Sequence, residues 1–347
     1  MKLLRADEKG LACEPGGFWI DPWKPVPLAV ITHAHSDHAR RGMGRYLAAE
    51  PCVPILRVRL GKDAHIEGVP YGEQIPVGDT HLSFHPAGHC LGSAQARVES
   101  GDEVAVAAGD YKRSDTAGDP TCEPFEPIPC DTFVTEATFA MPVYRWTPAS
   151  LVAAEILDWW DENRDAKRVS VIAAYSLGKA QRLLALLAAE LDRRREPRRR
   201  VFIHGALEAL IRVYRKAGVD MLPTFRIAES NRARGTANPF RGHLVMAPPG
   251  AIASPWVKRF GRQKDVSTAF ASGWMRVRGV RRRRGYDRGF VLSDHADWPG
   301  LIDTCTSVNA SRVLCTHGHS ETLARYLRDN GIEADPLETG YETESEE

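Results

Sequence analysis

His33-Ala34-His35-Ser36-Asp37-His38 follows directly on the apolar run Pro27-Leu28-Ala29-Val30-Ile31. Three imidazoles and one carboxylate in six residues, at the end of a strand-like stretch, form a metal-ligand pattern. In an extended chain successive side chains alternate faces, so His33 and His35 point the same way and can share one ion. Asp37 and His38 come where the chain turns, and they can reach a second ion. Neutral imidazole together with carboxylate suits zinc, manganese or iron. A lone histidine after a strand reads more simply as a hydrogen-bonded core residue; this spacing does not.

Other polar residues repeat the theme. His89 lies in the loop after Phe84-His85-Pro86, and Asp110 ends the run Val104-Ala105-Val106-Ala107-Ala108-Gly109. Glu136 ends Thr132-Phe133-Val134-Thr135, and His295 and His317 each follow a short apolar run. Ionisable groups at strand ends converge on one edge of a sheet, which is where open sheets place their sites. A lone carboxylate such as Asp110 can bridge two ions with its two oxygens.

The pattern along the chain is α/β. Short strands are expected at Leu28–Ile31, Thr80–His85, Ala94–Glu99, Glu103–Ala108 and Thr132–Thr135, with a hairpin at Ser100-Gly101-Asp102. From Thr147, the expected N-cap, a helical pattern runs through Ile156 and Trp160. Strand Val169–Ala173, helix Ala180–Leu191, strand Val201–His204 and helix Leu207–Ala217 then alternate. That alternation predicts a parallel sheet with crossover helices. Strands Phe290–Leu292 and Arg312–Cys315 and helix Glu321–Asn330, closed by Gly331, are expected near the end.

The 347 residues suffice for two domains, and 43% hydrophobic with 26% charged residues is ordinary for a globular protein. The net charge of +1 hides basic runs at 193–200 and 281–284, opposed by an acidic tail, 338–347, expected to be disordered. Seven scattered cysteines without a C-x-x-C pair exclude a disulfide framework and a thiolate zinc knuckle. No apolar run is long enough for a signal peptide or a membrane span, so a cytoplasmic protein with no membrane partner is expected.

Together, His33, His35, Asp37 and His38, the segment Gly88-His89-Cys90-Leu91-Gly92-Ser93-Ala94, and Gly109-Asp110 resemble the metallo-β-lactamase fold. Glu136, Ser293-Asp294-His295-Ala296-Asp297 and Thr316-His317-Gly318 resemble the further motifs of its β-CASP nuclease branch. Tyr175-Ser176-Leu177-Gly178-Lys179-Ala180-Gln181 and Ala271-Ser272-Gly273-Trp274-Met275 are similar to patterns in the β-CASP insert. Length and layout are most similar to the bacterial ligase-associated DNA exonucleases of this branch.

The resemblance implies an αββα sandwich formed by residues 1–144 and 290–337, with an α/β insert at 145–289 that clamps nucleic acid. It implies one metal on His33, His35, His89 and Asp110, and a second on Asp37, His38, Asp110 and His317. Asp21 supports the histidine loop from behind. Asp37, His295 and Glu136 are the residues it assigns to the reaction, with His295 beside the scissile phosphate and Glu136 orienting it. Two divalent ions, zinc or manganese with iron as an option, can generate a hydroxide that attacks phosphorus, with His295 as general acid for the leaving alkoxide. Ser176, Gly178 and Lys179, and Ser272 and Gly273, are candidate phosphate contacts, set against the plainer reading of ordinary strand-to-helix turns.

The expectation is a DNA exonuclease of DNA repair, with a DNA ligase and a helicase as partners. An RNA-processing nuclease is the alternative, because His317 is a histidine as in RNA-cleaving members. A small-molecule hydrolase has no need of a long insert. A metal-free binding subunit would have lost ligands, and every expected ligand is present.

Overall fold

Alternation along the strand Glu103–Ala107 sets which way each residue faces. Val106 joins a cluster with Phe133, Val313 and Cys315, while Ala105 and Ala107 join another with Val30, Leu82 and Phe84. The computed structural model describes residues 3–113, 119–228 and 238–337. The expected acidic tail, 338–347, lies outside the described residues. The chain divides into two compact units, residues 3–145 with 294–337, and residues 146–293.

The first unit holds two sheets. One has the spatial order Arg5–Ala6, Leu11–Cys13, Phe18–Ile20, Leu28–Ile31, Arg45–Ala49, Ile66–Val69. The other has the order Ala334–Pro336, Arg312–Thr316, Thr132–Glu136, Glu103–Ala107, Ala94–Ser100, Thr80–Pro86, Ile75–Val77. Their inner faces meet through Leu11, Phe18, Ile20, Val30 and Leu47 on one side and Leu82, Phe84, Ala96 and Val98 on the other. The outer face of the second sheet is covered by the helices Trp298–Ser307 and Ser320–Asp329, through Leu301, Cys305, Leu323 and Leu327. Each such fully buried leucine or phenylalanine stabilises the fold by about 1.5–3 kcal/mol relative to exposure. The first of these helices starts where the sequence directs it: the Asp297 side chain accepts from Gly300 N, and Pro299 sits in the first turn. The second ends before Gly331, whose φ of 84° provides the left-handed residue that closes a helix. The expected hairpin at Gly101 also forms, joining the antiparallel strands Ala94–Ser100 and Glu103–Ala107.

The second unit is built on an all-parallel sheet ordered Thr224–Arg226, Val201–Ile203, Leu244–Ala247, Val169–Ala173, Val266–Ala271, Arg288–Phe290. Val169–Ala173 is buried along its whole length, as a central strand with both faces covered must be. The crossover helices Ala149–Asp165, Lys179–Arg193 and Gly205–Lys216 follow the expected alternation. Polar anchors fix the first of them: Trp159 Nε1 donates to Ser267 Oγ (3.1 Å) and Asn163 Nδ2 to Ser170 Oγ (3.0 Å).

Two expectations shift at boundaries. Thr147 does not cap the helix: Pro148 is itself extended and takes the N-cap position, so the helix starts at Ala149. The strand expected at Phe290–Leu292 forms instead at Arg288–Phe290, in the second unit, which runs through residue 293. Its last strand is Arg288–Phe290, paired with Val266–Ala271, and Lys179 Nζ donates to the Leu292 carbonyl at 3.1 Å, which ties 290–293 to this unit. All seven cysteines are free and buried. Among the described residues no helix is long and apolar enough to cross a membrane.

Candidate metal centre

Strand register brings the distant candidates to one edge of the first unit. Thr132–Glu136 and Arg312–Thr316 run parallel with Glu136 opposite Thr316, so Glu136 and His317 emerge together. Ala107 lies opposite Val134 and Ala96, and Pro86 opposite Ala94, which delivers Asp110 and His89 to the same edge. Ala94 N donates to the Thr32 carbonyl at 2.8 Å, joining the end of strand Leu28–Ile31 to that rim. Gly109 permits the last approach. Its φ is +57°, and a Cβ there would lie 2.5 Å from Thr32 Oγ1.

Two donor groups result. His33, His35, His89 and Asp110 each offer a ligand atom, all within 4.8 Å of one another, and so do Asp37, His38 and His317. His33 Nε2 and His89 Nε2 both lie 3.0 Å from His35 Nδ1. Asp110 Oδ2 lies 3.3 Å from His33 Nε2 and 3.8 Å from His89 Nε2. The same oxygen is 3.5 Å from His38 Nε2, so Asp110 stands between the groups. His38 Nε2 is 3.7 Å from Asp37 Oδ2. The His38 and His317 rings stack with centroids 5.1 Å apart. His35, Asp37 and His317 are partly exposed while His33, His38, His89 and Asp110 are buried, which leaves one side of the centre open.

Buried partners fix the tautomers. His89 Nδ1 donates to the Asp294 carbonyl (2.9 Å), so in the neutral ring the Nε2 lone pair faces the centre. Thr32 Oγ1 donates to Asp21 Oδ2 and accepts from His33 Nδ1 at 3.2 Å, which aims the His33 Nε2 lone pair the same way. His38 Nδ1 bonds Asp21 Oδ2 at 2.8 Å, and Asp21 Oδ1 accepts from Thr32 N at 2.8 Å. Asp21 thus organises two ligands from behind.

Lone pairs converging at such distances repel unless a cation lies among them. With metal–nitrogen bonds of about 2.0–2.1 Å, neighbouring ligand atoms in a tetrahedral site are about 3.3 Å apart, and the observed 3.0–3.8 Å brackets that spacing. The donor set therefore fits divalent metal.

The electrostatics agree. Burial, with His38 close by, pushes His33 down to about 4, and burial and the surrounding histidines hold His89 well below its usual value, so both rings are neutral ligands. Burial alone would lower His38 too, but Asp110, Asp37 and Asp21 together drive it up to about 10; the pocket attracts positive charge. Burial opposes ionisation of Asp110, yet His38, His33 and His295 keep its carboxyl well below the usual range.

His295 and Glu136 stand beside these groups. His295 Nδ1 lies 3.0 and 2.9 Å from the two Glu136 oxygens, and Glu136 Oε1 also accepts from Tyr111 N at 2.8 Å. Burial raises the Glu136 carboxyl and the His295 ring works against that rise. The His295 and His89 rings are 4.7 Å apart between centroids.

Thr32 and the Asp294 carbonyl were not singled out from sequence. Thr32 carries a recognisable signal, as the hydroxyl between strand and motif; a backbone carbonyl carries none. The candidate phosphate contacts lie in the second unit. Ser176 is half-buried, and its carbonyl accepts from Gln181 Nε2 (2.9 Å). Gly178 is the N-cap of helix Lys179–Arg193 at φ 78°. Lys179 is 3% exposed, and its Nζ donates to the Leu292 carbonyl. Ser272 is buried and its hydroxyl caps the turn Gly273–Arg276 by accepting from Trp274 N.

No protein-family model matches the chain. It is 32% identical over 329 residues to a protein of Opitutus terrae named "Probable DNA ligase", covering 94% of this chain and 30% of that one. It is 25% identical over 223 residues to the transcription termination factor FttA of Methanosarcina mazei (54% of this chain, 34% of the relative). It is also 25% identical over 214 residues to ribonuclease TTHA0252 of Thermus thermophilus (53% and 47%). The chain thus spans less than half the length of each of these relatives. A solved structure of a protein of unknown function from Enterococcus faecalis superposes with a TM-score of 0.58 at 13% identity, covering 91% of this chain and 80% of that one, and shares the fold.

Proposed function

We propose that this chain is a two-metal nuclease of the metallo-β-lactamase fold, β-CASP branch, that trims DNA ends in repair. One observation carries the reading: the buried Asp110 belongs to one donor group and its Oδ2 lies 3.5 Å from His38 of the other, with the His295–Glu136 pair beside it. When bound, two divalent ions supply an activated water at neutral pH and positive charge for the attacking and leaving oxygens of a phosphodiester.

His33, His35, His89 and Asp110 would hold one ion, and Asp37, His38 and His317, with Asp110 beside them, the other. Glu136 accepts a hydrogen bond from His295 Nδ1, fixes its tautomer and stabilises its charged form. The other ring nitrogen, Nε2, delivers a proton to the departing sugar oxygen. Asp37, partly exposed and ionised, faces the open side where substrate enters.

The relative named as a DNA ligase matches nearly the whole chain and supports DNA as substrate. A ligase to seal trimmed ends and a helicase to supply strands are the partners this reading expects. RNA is the second reading, favoured by the ribonuclease and termination-factor relatives. Digestion of matched DNA and RNA labelled at either end, with manganese or zinc and with Asp110→Ala as control, separates the two. Stepwise shortening of DNA, absent in the control, is expected. Internal cuts in RNA with DNA left intact would move the substrate to RNA, and inertness toward both in metal-loaded protein would refute the nuclease reading.

A further inference from the structure

The chain carries two arginine runs, and the structure treats them differently. In the first, Arg193 and Arg194 both bond Glu190 (2.6 and 2.8 Å), and Arg194 also reaches Asp158 at 2.8 Å. Arg198 pairs with Asp192 at 2.7 Å and with Asp220; Arg199 pairs with Asp161 at 2.6 Å and with Glu196. Arg200 lies over the Phe225 ring. All of this run's arginines but Arg195 are engaged within their own unit.

Arg282 and Arg283 of the second run lie with Arg278 on the short helix Arg278–Arg283. Arg278, Arg282 and Arg283 are exposed, and among the described residues no carboxylate is within ion-pairing distance of them. The acids nearest in sequence or by pairing are committed elsewhere. Asp287 accepts from Thr268 N (2.8 Å) and Oγ1 (3.0 Å), and Glu162 faces Arg288. The base of the helix is anchored: Arg284 lies over the Phe270 ring at 5.2 Å and Tyr286 packs on the same ring at 5.3 Å. Arg284 Nη2 is buried with no hydrogen-bond partner among the described residues.

Arg278 and Arg282 stand four apart on the helix, a spacing at which like charges repel. So short a helix has little stability of its own to offset that repulsion. The arrangement weakens the isolated fold and suits a polyanion. The planar guanidinium matches phosphate oxygens in pairs, independent of base sequence.

We infer that Arg278, Arg282 and Arg283 form a docking surface for the phosphate backbone of nucleic acid, an inference that rests on the nuclease reading above. The test is fluorescence anisotropy of full-length protein with labelled single-stranded and duplex DNA over a salt series, with a chelator present so that binding is read without cleavage. The triple variant Arg278→Ala/Arg282→Ala/Arg283→Ala should bind about tenfold or more weakly at low salt, and its log K against log salt slope should be shallower by about 2. Arg193→Ala/Arg212→Ala/Arg325→Ala removes the same charge from exposed positions elsewhere and should leave the slope unchanged. Melting curves check that both variants fold. Equal slopes for the two variants would overturn the surface while wild-type binding upheld the nucleic-acid reading. Failure of the wild type to bind would overturn both.

Discussion

Asp110→Asn is expected to lower turnover about a thousandfold and to empty the metal centre. Oδ2 of Asp110 lies 3.3, 3.8 and 3.5 Å from His33, His89 and His38, so it stands between the two donor groups. Asparagine keeps the shape but removes the negative charge and places a donor or a weaker acceptor there. Losing bridging of both ions costs about 4 kcal/mol of transition-state stabilisation, which is about a thousandfold in rate. The variant should still fold, because the strands that deliver this edge are held by the cores behind it. Steady-state cleavage with metal content measured on the same sample checks this. Turnover within tenfold of wild type would remove Asp110 from the bridging role.

The second large effect belongs to His295. Its Nδ1 is held by both oxygens of Glu136, which prepares the ring to give up a proton from the opposite nitrogen. His295→Ala should lower DNA cleavage by about 10²–10⁴-fold, the usual worth of a general acid, with both ions retained. A phosphodiester with a p-nitrophenolate leaving group needs no acid, so on that substrate the defect should shrink to within about tenfold. An equal loss on both substrates would make His295 a structural or binding residue. Glu136→Gln should show the same substrate dependence at smaller amplitude, since it acts through His295.

The parts of the site that were legible in the sequence sit at strand ends. His33, His89, Asp110, Glu136 and His317 each follow an apolar run, and parallel or antiparallel register then leaves them at one edge. What was not legible depends on tertiary contacts. Nothing local in Ser176-Leu177-Gly178-Lys179 shows that the lysine turns inward to the Leu292 carbonyl, more than a hundred residues away. The same holds for the arginine runs. Both read as basic patches, yet Asp158, Asp161, Asp192 and Asp220, scattered along the chain, pair with the first, while among the described residues no acid pairs with Arg282 or Arg283 of the second. The last strand of the parallel sheet is Arg288–Phe290 rather than the apolar run Phe290–Leu292, because pairing with Val266–Ala271 sets its register.

The central claim is that the chain holds two ions that share Asp110. Native mass spectrometry of metal-stripped protein titrated with Zn²⁺ or Mn²⁺ counts them directly. Two ions bound per chain, with binding lost in Asp110→Asn, is the predicted result. A wild-type chain that binds no ion, or an Asp110→Asn variant that keeps both, would contradict it.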